Sequence, residues 1–200
     1  MTSYDVFKTS GSSKSEIYQH IEGFQLLNKN QPFSKSFTSK EVINSIRKNL
    51  RAKYQASISW GLVFSDKIHG RCYKEMIHNL GAKHNPFVLI IEDTDGGIFG
   101  SYFENNLQHK VHSFGKSSTA LFKYNEGKFD WYKSSPDCFS NCLSGTEFVA
   151  FGCSNSKFGL LIKNDLINGE TNSVKTFNNS ILAKSNLFKI KNIEIWAILD

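Results

Sequence analysis

The chain has no apolar run approaching the ~18 residues that a helical membrane span needs, and its opening, MTSYDVFKTSGSSKSE, lacks the apolar centre of a secretory signal peptide. A cytoplasmic location is therefore expected. Its four cysteines, Cys72, Cys138, Cys142 and Cys153, form no Cys-x-x-Cys pair, so they read as ordinary thiols without a disulfide framework. The sequon Asn178-Asn179-Ser180 has meaning only in the secretory lumen. No glycine-rich run leads into a lysine-bearing helix, which leaves no phosphate-binding loop, and no internal repeat is visible. A strongly basic folded surface is missing too. Residues 1–59 carry nine Lys/Arg against four Asp/Glu, whereas residues 60–200 carry fifteen against fourteen. Nucleic-acid binding, which needs a basic face set with aromatics, is not expected of so neutral a body.

What the chain does have is apolar content: 40% of its 200 residues, with seventeen phenylalanines sitting mainly in alternating runs. That suffices for one core burying ~70% of the unfolded chain's surface. Residues 1–36 are rich in Ser, Lys and Asn and read as a flexible basic lead, with a short helix around Ile17–Leu27. A single domain is expected over residues 37–200. It opens with FTSKEVINSIRKNL, where Thr38 and Glu41 have the spacing of a capping box and Val42, Ile43, Ile46 and Leu50 share one helical face. From Ser57 the period becomes two, with Ile58, Trp60, Leu62 and Phe64 predicted on one face of a strand. A second helix follows KIHGR, since Tyr73, Met76, Ile77 and Leu80 recur at helical spacing. Strand patterns continue through PFVLIIE, GIFGSYF, TALFKY, KFDWYKS, EFVAFG, KFGLLI and LFKIKNIEIWAIL. About nine short strands and two helices imply a mainly β, two-sheet antiparallel sandwich edged by helices.

Among the candidate sites, the stretch LIIEDTDGGIFGSYF (Leu89–Phe103) carries the densest acidic cluster. Counted from Asp93, its fifth position is Gly97 and its twelfth Glu104, too thin a set for a calcium loop, and its flanks are strands. Asp-Gly between two apolar runs is instead a hairpin turn: Asp bonds to nearby backbone and Gly accepts positive φ. His69, before the second helix, reads as a structural histidine, with no activated Ser or Cys assigned to it. His109 and His112 lack a third metal ligand. Cys72 sits beside Arg71 near a helix start, where positive charge favours a thiolate, although a small half-buried helix residue is the simpler reading. Glu194 alternates with Ile193 and Ile195; if a helix covers its face, its carboxylate must be paired or hydrogen-bonded.

Taken in order, these pieces resemble the TLDc domain, the module of the eukaryotic oxidation-resistance proteins, from about Thr38 to Leu199. The resemblance rests on the opening helix, the Trp60 strand with its Lys-x-His-Gly turn (His69, Gly70), the Asp95-Gly96 turn and Phe99-Gly100 strand, the Thr176-Phe177-Asn178 stretch, and the closing Glu194-x-Trp196 strand. Three features depart from the family pattern: FVAFGCSNSK in place of a glycine-rich stretch, Ser180 where Pro is usual, and Asn164 where Asp is common. The resemblance implies a sandwich flanked by helices, with no catalytic residues, cofactor or metal. It further implies a monomeric protein-binding module that docks on the vacuolar proton-pumping ATPase, at the catalytic sector or peripheral stalk, on the cytosolic face of acidic organelles, and that supports resistance to oxidative stress. A thiol-based antioxidant and a membrane-traffic adaptor are the alternatives.

Overall fold

The computed structural model describes residues 16–21, 24–28, 36–82, 86–104, 107, 115–138 and 141–199. Runs of β-branched and aromatic residues at alternating positions form strands, and segments with period 3.6 form the helices that close their faces. In chain order the elements are β1 (Glu16–Ile21), β2 (Phe24–Asn28), α1 (Lys40–Asn49), α2 (Ala52–Gln55), β3 (Ser59–Ser65), α3 (Asp66–His69), α4 (Tyr73–Gly81), β4 (Phe87–Asp93), β5 (Ile98–Phe103), β6 (Ala120–Asn125), β7 (Lys128–Lys133), β8 (Cys142–Ser144), β9 (Phe148–Ser154), β10 (Lys157–Lys163), β11 (Asn168–Glu170) and β12 (Leu187–Leu199).

The strands make an antiparallel two-sheet sandwich. The first sheet runs β1-β2-β3-β12-β4-β5-β6-β7, with β2 and β3 its parallel pair. The second runs β8-β9-β10-β11 and joins the first residues of β12. Strand β12 thus belongs to both. Leu187 to Lys189 pair with β11, Ile190 to Ile193 run along β4, and Glu194 to Ala197 lie between β4 and β3. Alternation along β12 sends Ile193, Ile195 and Ala197 into the core between the sheets, where they meet Phe64, Phe99 and Phe151. Trp196 and Ile198 point to the opposite face, where Val42, Ile43 and Ile46 of α1 and Leu26 of β2 cover them together with Trp60. Helix α4 inserts Met76 and Leu80 into the inter-sheet core. No described helix is long and apolar enough to cross a membrane.

The sequence expectations are corrected in four places. The segment 17–27 is not helical: β1 and β2 pair there, and β2 extends the first sheet beside β3. The N-cap of α1 is Ser39, whose hydroxyl accepts from the Val42 amide at 3.3 Å; Thr38 is buried, and the Glu41 carboxylate accepts from the Tyr124 hydroxyl at 2.7 Å. With Ser39 as cap, Glu41 falls one position short of the capping box. The single face assigned to Ile58, Trp60, Leu62 and Phe64 is broken. Ile58 precedes the strand and is 69% exposed. A register shift opposite Ile195/Trp196 turns Phe64 into the inter-sheet core while Trp60 stays on the α1 side. An extra residue in one strand reverses the facing of everything beyond it. Finally, the expected helices α1 and α4 are joined by two single-turn helices, α2 and α3.

Candidate interaction site

The turn between β4 and β5 is built by Asp93. Its Oδ1 accepts from the amides of Asp95 (3.0 Å) and Gly97 (2.7 Å), while its own amide donates to Gly97 O at 3.0 Å. Burial raises the Asp93 carboxyl above its ordinary range, against the pull of those two backbone bonds. Gly96 sits at φ +84°, a conformation that favours glycine. Asp93 is therefore the internal brace, and Thr94, Asp95 and Gly96 form an exposed ridge. Behind it Gly100 packs so tightly that a Cβ would lie 1.9 Å from Leu89 O, and Phe99 buries its ring edge-on to Phe188 at 4.9 Å.

A cleft of about 380 Å³ opens on each side of this ridge, and Asp95 lines both. One is walled by Lys163, Asn168, Leu187 and Lys189, the other by Lys123, Tyr124, Glu126 and Lys184. Thr94 N–H donates to Lys189 O at 3.0 Å and so ties the ridge to the start of β12. Four lysines and the carboxylates of Asp95 and Glu126 line the two clefts, and Lys123 Nζ donates to Ser180 Oγ at 2.7 Å, which makes a polar surface of mixed charge able to meet polar groups of another molecule. Nothing in the one-dimensional pattern marks these lysines, because strand register together with the loop before β12 is what gathers them.

The remaining sequence candidates lie apart from the ridge. Glu194 is fully buried on the α1 side of the first sheet. Its Oε2 accepts from the Ser36 hydroxyl (2.6 Å) and the Trp196 indole N–H (3.1 Å), and its Oε1 from the Phe37 amide (3.4 Å). The face is covered and the carboxylate is hydrogen-bonded, as a covered face requires. Burial nevertheless pushes the carboxyl up to about 7, with the three hydrogen bonds and nearby Lys67 acting in the other direction. His69 Nδ1 lies 3.0 Å from the Ser65 amide, and its ring stacks on Phe64 at 5.3 Å. Gly70 caps α3 at φ +68°. Thr176 donates to Cys153 O at 3.0 Å, and the Phe177 ring is core. In that stretch the anchoring asparagine is Asn179, whose amide donates to Asn172 O and Ser180 O at 2.8 Å each; Asn178 is exposed at φ +49°. Trp60 and Trp196 are buried under α1.

Cys72 is exposed at the N-cap of α4, Cys153 is exposed, and Cys142 is buried, which pushes its thiol up to about 12. Among the described residues no three His, Cys, Asp or Glu are grouped as metal ligands. His109 and His112 lie outside the described residues.

A family profile described as the TLDc domain matches residues 31–199. The chain belongs to the TLDc family. Human nuclear receptor coactivator 7 is 30% identical over 157 residues, which is 78% of this chain and 16% of that protein. Human oxidation resistance protein 1 is 30% identical over 138 residues, 69% of this chain and 16% of that protein, and the Xenopus tropicalis protein of the same name is 31% identical over the same length. This TLDc chain thus spans about a sixth of the length of the relatives it matches.

Proposed function

We propose that this TLDc chain is a non-catalytic docking module that binds the vacuolar proton-pumping ATPase, at its catalytic sector or peripheral stalk, on the cytosolic face of acidic organelles, and thereby supports resistance to oxidative stress. The observation that carries the reading is the exposed Thr94–Gly96 ridge between two lysine-walled clefts, a surface suited to a protein partner. Kinship to proteins named for oxidation resistance supports the physiological setting. The test is co-purification of the tagged chain with intact vacuolar ATPase, followed by ATP hydrolysis and particle sizing with and without added protein. Binding with altered hydrolysis or a released catalytic sector is the expected result. No binding at micromolar concentration overturns it. Protection against peroxide that vanishes when all four cysteines are replaced by serine would favour the thiol reading instead.

A further inference from the structure

The Asp93 carboxylate that braces the β4–β5 turn uses only one of its oxygens. Oδ1 accepts from the Asp95 and Gly97 amides, whereas Oδ2, in a residue 1% exposed, has no hydrogen-bond partner among the described residues. A buried carboxylate oxygen left unpaired is costly, so Oδ2 points to a donor that the folded chain itself does not supply. Asp93 lines the cleft on the Lys123 and Lys184 side of the ridge, and Gly97 lines it too. A Cβ at Gly97 would stand 3.2 Å from Oδ2 and 3.3 Å from Oδ1, tighter than ordinary contact. Gly97 is not one of the glycines at positive φ, so its missing side chain serves to leave the Oδ2 side of the carboxylate uncrowded. The two clefts beside the ridge also differ in charge. This one carries the carboxylates of Asp93, Asp95 and Glu126 against Lys123 and Lys184, and the Lys123 ammonium is already engaged by Ser180 Oγ at 2.7 Å and Ile181 O at 3.3 Å. The other carries Asp95 against Lys163 and Lys189. Asp95 and Glu126 are exposed, and neither forms a salt bridge among the described residues.

We infer that this cleft receives an arginine side chain of the docking partner, whose guanidinium donates to Asp93 Oδ2. The inference deepens the docking reading above and rests on it. Donor chemistry and charge choose the occupant. An ionised carboxylate only accepts hydrogen bonds, so the group that satisfies Oδ2 is a donor. Three lining carboxylates favour a donor that carries positive charge. A metal ion fits less well, because among the described residues no three acidic, His or Cys side chains are drawn together as one ligand set. Of the two basic side chains, the guanidinium is the more weakly hydrated and carries five N–H donors in a planar fork. It therefore leaves water at lower cost than an ammonium, and can donate to the buried oxygen while its other N–H groups stay toward the exposed carboxylates. Burial and, after it, the like charges of Asp95 and Glu92 raise the Asp93 carboxyl, and a cation beside Oδ2 favours its charged form. Asp95 belongs both to the cleft and to the exposed ridge, so an arginine seated here comes from a partner lying across that ridge.

The test is a titration of the whole chain with a short end-blocked peptide holding one arginine between glycines, followed by NMR at the amides of Asp95 and Gly97, which report on Asp93 through Oδ1. Two control peptides carry citrulline, which keeps the shape without the charge, or lysine. The arginine peptide is expected to shift those amides saturably at millimolar concentration and to bind roughly tenfold tighter than the citrulline peptide, with lysine in between. Asp93→Asn keeps an oxygen for the turn amides but puts an NH2 group where Oδ2 stands, so the turn persists and the preference for arginine is lost. The double variant Asp95→Asn, Glu126→Gln alters exposed side chains only and is expected to weaken arginine binding about threefold, which keeps the inference testable even if Asp93→Asn does not fold. Equal binding of the arginine and citrulline peptides, a lysine peptide bound as tightly as arginine, no saturable shift, shifts confined to the Lys163 and Lys189 cleft, or an affinity unchanged in either folded variant would each overturn the inference. The pump takes no part in this titration. A failed co-purification beside a bound arginine peptide would reject the pump and keep the cleft, and the reverse result would reject the cleft alone.

Discussion

The outer face of the first sheet holds two tryptophans, Trp60 and Trp196, buried under α1, whereas the outer face of the second sheet, with no described helix over it, holds Leu143 and Phe148 partly exposed beside a buried Leu161. Cover changes what a residue on the face can be. Under α1 a carboxylate sits at 0% exposure, held by three donors and pushed up to about 7. On the face without a helix, polar residues at the rim and the contact between the partly exposed Phe148 and Phe158 rings limit how much apolar surface meets water. The face under α1 gains its burial from a helix, and the other gains it from its own neighbouring side chains, leaving Leu187 as its one strongly exposed large apolar residue among the described residues.

Four experiments sharpen or break this contrast. Trp196→Ala is expected to have the largest effect, about 3–5 kcal/mol of lost stability from a cavity under α1, read by denaturant unfolding; unchanged unfolding would remove the ring from the core. Next is the pH response. The Glu194 carboxyl is raised from 4.5 to about 7 in the folded state, so the fold binds that proton more readily than the unfolded chain. The stability contributed by Glu194 is therefore fully present below about 4.5 and is lost as pH rises through about 7, by on the order of 3 kcal/mol. Asp93, also raised by burial, acts in the same direction, while Glu92 and Asp165, lowered by their hydrogen bonds and neighbouring lysines, act in the opposite one. Glu194→Gln should flatten thermal unfolding between pH 5 and 7 relative to the parent. On the bare face Phe148→Ala should cost only about 1 kcal/mol, because its ring is half-exposed. Leu187→Ser should change the melting midpoint least, within about 0.5 kcal/mol; a larger loss would mean that the face is packed rather than open.

Most of the sandwich was legible in the sequence because eight of its strands carry a sustained two-residue period, and β12 was read at its observed limits, Leu187–Leu199. The three-residue strands β8 and β11 were missed, since Cys142–Ser144 and Asn168–Glu170 are too short for any period and exist through pairing with their neighbours. In β3 the pattern misled because a bulge reverses facing without altering composition. The Asp93–Gly97 turn was readable from local chemistry alone. Its surroundings were not: Lys123, Lys163 and the pair Lys184 and Lys189 come from three separated segments, and only the fold brings them to the two sides of the turn. Which outer face is covered also escaped the sequence, because a strand's pattern names an apolar face but not what will lie on it.

Strand β12 has a kinetic consequence. Every other described strand precedes it in the chain, yet it forms the seam from which both sheets extend. A polypeptide emerging from the ribosome therefore presents two unfinished sheet margins, at β3 and β4 and at β11, until residues 187–199 arrive. Pairings such as Glu194 with Ser65 close loops of more than a hundred residues. Such non-local closure makes folding slow and late, and the nascent domain is most exposed to aggregation just before β12 is synthesised.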